Sequence, residues 1–356
     1  MAESALGIGL ILIILAGVME GGYSLLLKYT PNWQWENTWG AGSLMALVLV
    51  PWPLAIITVP GLFNVYRHSS PTAIFNAILF GAGWGIGGVF FGLGIAAVGM
   101  SLGLSLIMGI VAIGGSIVPL LMKYPEQLLR PAGLVLMAGI VVMILGLWAC
   151  ARAGHLKEES RKTAGTRDVA VRHSERSEES HKSTPFKTGL FFCISSGVLS
   201  ALVNFGFIFG QNIADAAIQQ GVSATNATNA IWALVFTSNY VVNVGYCVYL
   251  GRRKKTLKKF LVAGTGLYWL GAVVMGILWA IGIVVYGMGA THIGRFGAFL
   301  GYPIMLICSI LTGNALGVLT GEWRASSGAA KRAMALGVCL LMVAIVVLAY
   351  SSRLTA

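Results

Sequence analysis

Glu20 stands inside an apolar run that covers residues 5–27. Tyr23 and Ser24 follow it at i+3 and i+4, so in a helix the three share one face. A membrane-spanning helix needs ~20 mostly apolar residues, and this run is long enough. A carboxylate at membrane depth is costly and faces a bundle interior or a watery path, where it handles protons or substrate. The competing reading is structural: a cap near the membrane surface, or a pairing inside the bundle. Of the 12 acids, six lie between Glu158 and Glu179, and Glu3, Glu36, Glu126 and Glu322 fall at predicted ends or in loops. Asp215 falls at or beyond the end of the sixth run, at the surface. Glu20 is therefore the one acid predicted at depth, and the candidate proton-coupling group.

Neutral polar side chains recur further along. Asn204, Gln211 and Asp215 are spaced by 7 and 11, on one helical face. Asn226, Asn229, Asn239 and Asn243 fall in a stripe of roughly 140° at ~100° per residue. Amides donate and accept, which suits a neutral polyhydroxylated solute. In membrane helices they also tie neighbouring helices together, at ~0.6–2 kcal/mol each. Trp84, Trp279, Tyr286 and Tyr302 offer flat faces to a sugar ring, or else pack in the core or the interfacial belt. His292 and Arg295 fall at the turn between the eighth and ninth runs. Two readings stand for them: attracting solute and gating, or surface charge at a helix end.

No enzyme signature accompanies these groups: the chain has no HExxH, no GxSxG, no Walker lysine motif and no paired catalytic carboxylates. No cofactor and no metal site is predicted. Residues 83–88 satisfy GxGxxG, yet the dinucleotide fingerprint requires a preceding strand and a following acid. Here Gly83xxxGly87 and Gly88xxxGly92 are spacings that let membrane helices approach closely. Cys150, Cys193, Cys247, Cys308 and Cys339 show no CxxC spacing and read as small buried apolar groups.

The elements that position these residues follow from composition. The 356 residues are 57% hydrophobic and 10% charged, against ~25% charged in soluble domains. Ten apolar runs lie near 5–27, 39–59, 71–98, 102–122, 131–151, 187–211, 224–250, 260–289, 294–320 and 332–350. The first lacks a basic flank and is followed by further runs, so it is retained as a helix rather than cleaved as a signal. The fold class is an all-α polytopic membrane protein of ten helices. Residues 152–186 are polar and low in complexity and are expected to be a disordered linker. They separate residues 1–151 from residues 187–356.

Ten spans place both termini on one side. That side carries five Lys and Arg, and the loops after helices 1, 3, 5, 7 and 9 carry the other 19. By the positive-inside rule the linker is cytoplasmic and both termini are periplasmic. The net charge of +12 is then a signature of topology beside membrane lipid, and no nucleic-acid partner is expected.

An offset of 195 residues aligns residues 81–99 with residues 276–294 at eight identities, Trp84 with Trp279 and Gly87 with Gly282 among them. The two segments are third in each half. Five spans per half force the halves into opposite orientations, and inverted repeats are how many transporters alternate access. The glycines imply tight turns between helices 3 and 4 at Gly99, and between helices 8 and 9 at Gly294.

Four motifs, in order along nearly the whole chain, resemble the L-rhamnose–proton symporter family of the drug/metabolite transporter superfamily. They are residues 33–39 (Trp-Gln-Trp-Glu-Asn-Thr-Trp), residues 81–87, residues 151–154 (Ala-Arg-Ala-Gly) and residues 321–323 (Gly-Glu-Trp). The resemblance implies ten helices in two inverted five-helix repeats, a bacterial inner membrane, and uptake of a 6-deoxyhexose such as L-rhamnose with a proton. The other readings are a carrier of a different solute, an exporter, and a non-transporting sensor or scaffold.

Overall fold

Inside a bilayer each backbone must satisfy its own hydrogen bonds, so apolar runs of this length become helices. The computed structural model describes residues 2–23, 30, 32–164, 186–262, 264–324 and 326–354. Ten helices are long and apolar enough to cross a membrane, and among the described residues there is no strand. They are α1 (Ala2–Gly22), α2 (Trp35–Thr58), α3 (Pro71–Val98), α4 (Met100–Lys123) and α5 (Pro131–Ala164). The second half holds α6 (Phe186–Gln219), α7 (Ala224–Arg253), α8 (Gly266–Ile293), α9 (Gly297–Leu319) and α10 (Gly328–Arg353). Large apolar side chains such as Ile11, Ile57, Trp148 and Val346 stay exposed around the bundle. Such a surface fits lipid tails and would be a liability in water.

Three boundaries differ from expectation. α2 begins at Trp35, because Gln34 and Asn37 form a reciprocal capping box over its first turn. α5 continues to Ala164, so the predicted linker starts as helix. Its first residues are strong helix formers, and His155 and Glu159 pair at i,i+4. Residues 165–185 of the predicted linker lie outside the described residues, as does Ser24. α6 is interrupted at Ala201 and Gly210, which splits its 34 residues into three short helices.

The helices pack as mates under the exchange of α1–α5 for α6–α10. α3 packs on α6 as α8 packs on α1, and α3 on α7 as α8 on α2. α4 meets α6 as α9 meets α1, and α4 meets α5 as α9 meets α10. Three helices meet their own mates: α2 with α7, α4 with α9, and α5 with α10. Close-approach glycines repeat the pattern residue by residue. Gly9 lies against His292 and Ile293, and Gly189 against Ala97 and Val98, which are 195 positions earlier. Gly17 lies against Met305 and Cys308, and Gly197 against Ile107 and Ile110. Both pairings superpose α1 on α6 at an offset of 180.

The two hairpin glycines are mates as well. Gly99 joins α3 to α4 at φ 89°, and Gly294 lies between α8 and α9 at φ 92°. Only glycine takes that conformation without a Cβ penalty. Both tight turns stand where the sequence predicted them.

Candidate functional site

The site is built where α1 crosses the middle of α8. Gly282 lies 16 residues from the start of α8 and 11 from its end, roughly 24 and 17 Å at 1.5 Å per residue. A Cβ at Gly282 would stand 3.4 Å from Glu20 Oε1 and 3.3 Å from the Ala16 carbonyl. Glu20 thus faces the middle of α8, while in α1 it stands two residues before Gly22. Its Oε1 is enclosed and has no hydrogen-bond partner among the described residues. The indole of Trp279 faces its carboxyl group, and Tyr23 and Tyr302 lie close enough to feel its charge. An enclosed carboxylate oxygen left without a partner is rare in proteins and calls for a reason.

Trp84 and Trp279 stack face to face, with centroids 5.5 Å apart and planes 20° from parallel. These are the tryptophans that the 195-residue offset aligned. Two mates can touch only near the axis that relates them, so the stack marks where the halves meet. Around the same axis Gly87 lies against Ser200, as Gly282 lies against Glu20. The mate of Glu20 is therefore Ser200. The surroundings repeat in shape and differ in chemistry, with an acid on one side and a hydroxyl on the other.

From the tryptophan pair an aromatic wall runs through the bundle. Phe236 lies 5.3 Å from Trp279 and 5.4 Å from Trp232. Trp232 stacks on Phe207 at 4.8 Å, and Tyr286 and Tyr302 continue the series. Trp232 Nε1 is enclosed without a partner among the described residues, as is Asn229 Oδ1. The wall offers flat apolar faces, with an unpaired acceptor near one end and an unpaired donor further along. Trp232 and Phe236 had not been singled out in the sequence. The signal was there: they fall at i+3 and i+7 from Asn229, on the amide stripe itself.

The predicted polar face of α6 is not assembled. Asn204 donates to the carbonyls of Gly115 and Ala298 and accepts from the Tyr286 hydroxyl at 2.7 Å, fully buried. Gln211 donates to Phe207 O one turn back, and Asp215 is exposed. The break at Gly210 separates Asn204 from Gln211 and Asp215, which remain at i and i+4 on the last short helix. The α7 stripe faces its mate α2 instead of a common cavity. Asn229 donates to Thr58 at 2.9 Å, and Asn243 accepts from Trp39 at 2.8 Å while donating to Asn239. Arg295 lies with its guanidinium 4.1 Å from the Tyr124 ring, across the two halves. His292 bonds to Met288 O of its own helix. Among the described residues no His, Cys, Asp or Glu group could hold a metal ion.

An acid facing the middle of α8 between mated halves, beside paired tryptophans, is the arrangement of a solute pathway. The family model described as L-rhamnose-proton symport protein (RhaT) matches residues 2–352. The chain belongs to that family. Relatives named L-rhamnose-proton symporter include one from Cronobacter sakazakii, 24% identical over 353 residues and covering 96% of each chain. One from Klebsiella pneumoniae is 24% identical over 328 residues, 89% of this chain and 90% of the relative. One from Pectobacterium atrosepticum is 25% identical over the same coverage. Family membership makes this multi-pass membrane protein a secondary transporter and not an enzyme. Two of the motifs that carry the family resemblance, residues 33–39 and 321–323, lie away from Glu20, at the end of the bundle that bears the long linker.

Proposed function

We propose that the protein is a proton-coupled carrier that takes up L-rhamnose or a closely similar 6-deoxyhexose by alternating access. The observation that carries this reading is Glu20: a carboxylate facing the middle of α8 and Trp279 of the stacked pair, one oxygen unpartnered among the described residues. A carboxylate with no cation beside it among the described residues can take up a proton and release it without breaking a salt bridge. The faces of Trp84 and Trp279 suit the apolar side of a deoxysugar, and Trp232 Nε1 is a free donor for a hydroxyl.

In this reading residues 1–151 and 187–356 are inverted five-helix repeats that rock about the tryptophan stack. The mated packing supports it, since two bodies with the same contacts on both sides can exchange roles across the membrane. The protein lies in the bacterial inner membrane. The 19 cations on one side support a cytoplasmic linker and periplasmic termini. Tyr23, Ser24, Asn229 and Asn239 are further candidate solute contacts. Asn204, Gln211, Asn243 and Tyr286 serve by holding the helices that shape the pathway. Arg295 closes the periplasmic end on Tyr124, with His292 beside it.

Uptake into proteoliposomes tests the proposal. With an inward proton gradient, the wild-type protein concentrates L-rhamnose. Glu20→Gln is expected to lose concentrative uptake and keep sugar exchange at equal concentrations. If Glu20→Gln still concentrates the sugar as wild type does, the coupling role is lost.

A further inference from the structure

Among the described residues, two ion pairs join the first half of the chain to the second, and both stand at the linker-bearing end. Lys254 Nζ lies 3.4 Å from Glu36 Oε2, and Lys157 Nζ lies 3.3 Å from Glu322 Oε2. Each spans a mate pair. Glu36 is in the first turn of α2 and Lys254 just past the end of α7. Lys157 is on the last turns of α5, and Glu322 is in the turn leading into α10. At this end one helix of each pair starts while the other finishes. Glu36 at the start of α2 and Lys254 at the finish of α7 also suit the helix dipole.

The contacts around the pairs differ in strength. Glu36 is 2% exposed and accepts a second bond from Thr256 Oγ1 at 2.7 Å. Asn37 donates to Thr256 O and Trp33 Nε1 to Lys259 O, both at 3.1 Å. Lys157 adds a cation–π contact, 4.7 Å from the Trp323 ring. At the opposite end the contacts between halves carry no ion pair among the described residues. There Asn64 meets Gln220, Asn212 meets the Ser70 amide, and Arg295 lies over Tyr124.

We infer that the two carboxylate–lysine contacts are locks that close the linker-bearing end of the carrier, one across α2 and α7 and one across α5 and α10. Opening that end, in the alternating-access reading on which this rests, separates each helix from its mate and breaks both contacts. The Glu36 lock is the stronger, because its carboxylate is enclosed and must lose two partners, Lys254 and Thr256, to come apart. Among the described residues, opening the linker-bearing end separates opposite charges, whereas at the other end the cations Lys123 and Arg295 meet a carbonyl and an aromatic ring, which biases the carrier toward closure on the linker side.

A native cysteine lies behind each lock. Cys247 is buried against Gly40 between α7 and α2, and Cys150 lies against Gly337 between α5 and α10. Alkylation of the full-length protein by N-ethylmaleimide, followed site by site with mass spectrometry, reads opening of each mate pair without sugar or proton gradient. Glu36→Gln is expected to speed modification of Cys247 about tenfold, and Glu322→Gln that of Cys150 about threefold, as an enclosed charged bond outweighs a half-exposed one. Lys254→Gln and Lys157→Gln, which alter the cation of each pair, are expected to act in the same direction. Exposed Cys339 is the internal standard, and buried Cys193 and Cys308 are the controls. Unchanged rates at Cys247 and Cys150, or rates at Cys193 and Cys308 that rise with them, overturn the locks. Because the assay needs no transport, its outcome is separate from that of the uptake experiment.

Discussion

Glu36 is a buried glutamate and Glu20 a partly buried one with its Oε1 enclosed, and their surroundings are opposite. Glu36 has Thr256 and Lys254 to satisfy its oxygens, whereas Glu20 Oε1 has no partner among the described residues. Burying a charge without partners is costly, and removing one partner of a satisfied buried group is costly too. The two isosteric substitutions should therefore move stability in opposite directions. Glu20→Gln is expected to leave the melting temperature at or above the wild-type value while it abolishes coupled uptake. Glu36→Gln is expected to lower stability by ~1–3 kcal/mol, the range for a bond to a charged group. Thermal unfolding of both purified variants checks this; a large loss for Glu20→Gln would make Glu20 a structural residue. The asymmetry fits a functional site, where stability is given up for chemistry.

The helices decide which polar residues are free to meet a solute. The sequence spacing put Asn204, Gln211 and Asp215 on one face, and a continuous helix would have kept them there. The break at Gly210 puts Asn204 on a different short helix from Gln211 and Asp215, and Gly210 is not an unambiguous breaker by itself. Asn204 becomes a junction of four helices through Gly115, Ala298 and Tyr286. Asn204→Ala is expected to cost ~1–3 kcal/mol by leaving buried groups unpaired, with the half-saturating sugar concentration unchanged. Thermal shift and uptake kinetics together decide the matter: a rise in that concentration with stability intact would return Asn204 to the solute pathway. By contrast, helix number, the two tight turns at Gly99 and Gly294, and the mated α3 and α8 were legible from spacing alone. Hydrophobic run length and glycine at positive φ are local demands, and local demands are written locally.

For the whole molecule, the mated packing and the uneven charge make separate statements. Mating gives two equivalent halves and no preferred side. A preference is expected from the 19 cations that the sequence predicts on one side and from the two proposed locks. Orientation is open to direct measurement. Reporter tags at the two termini are expected to react with an impermeant reagent in intact spheroplasts, and a tag inserted near residue 175 to be shielded until lysis. The reverse pattern would invert the topology, and with it the side that each gate serves.

The sequence by itself determined that the chain crosses a membrane ten times, that its halves repeat, and that one acid lies at depth. Each of these follows from which residues are apolar, over what length and at what interval, and none needs a contact to be known. The tertiary structure decided what that acid faces. It placed Glu20 against the middle of α8, set Trp279 against its mate Trp84, and left Ser200 where a second acid would complete the symmetry. It also turned Glu36 and Glu322 from loop charges into contacts between halves. Depth along a chain is a matter of counting, whereas burial depends on which other segment comes to lie alongside, and that is settled only when distant helices pack.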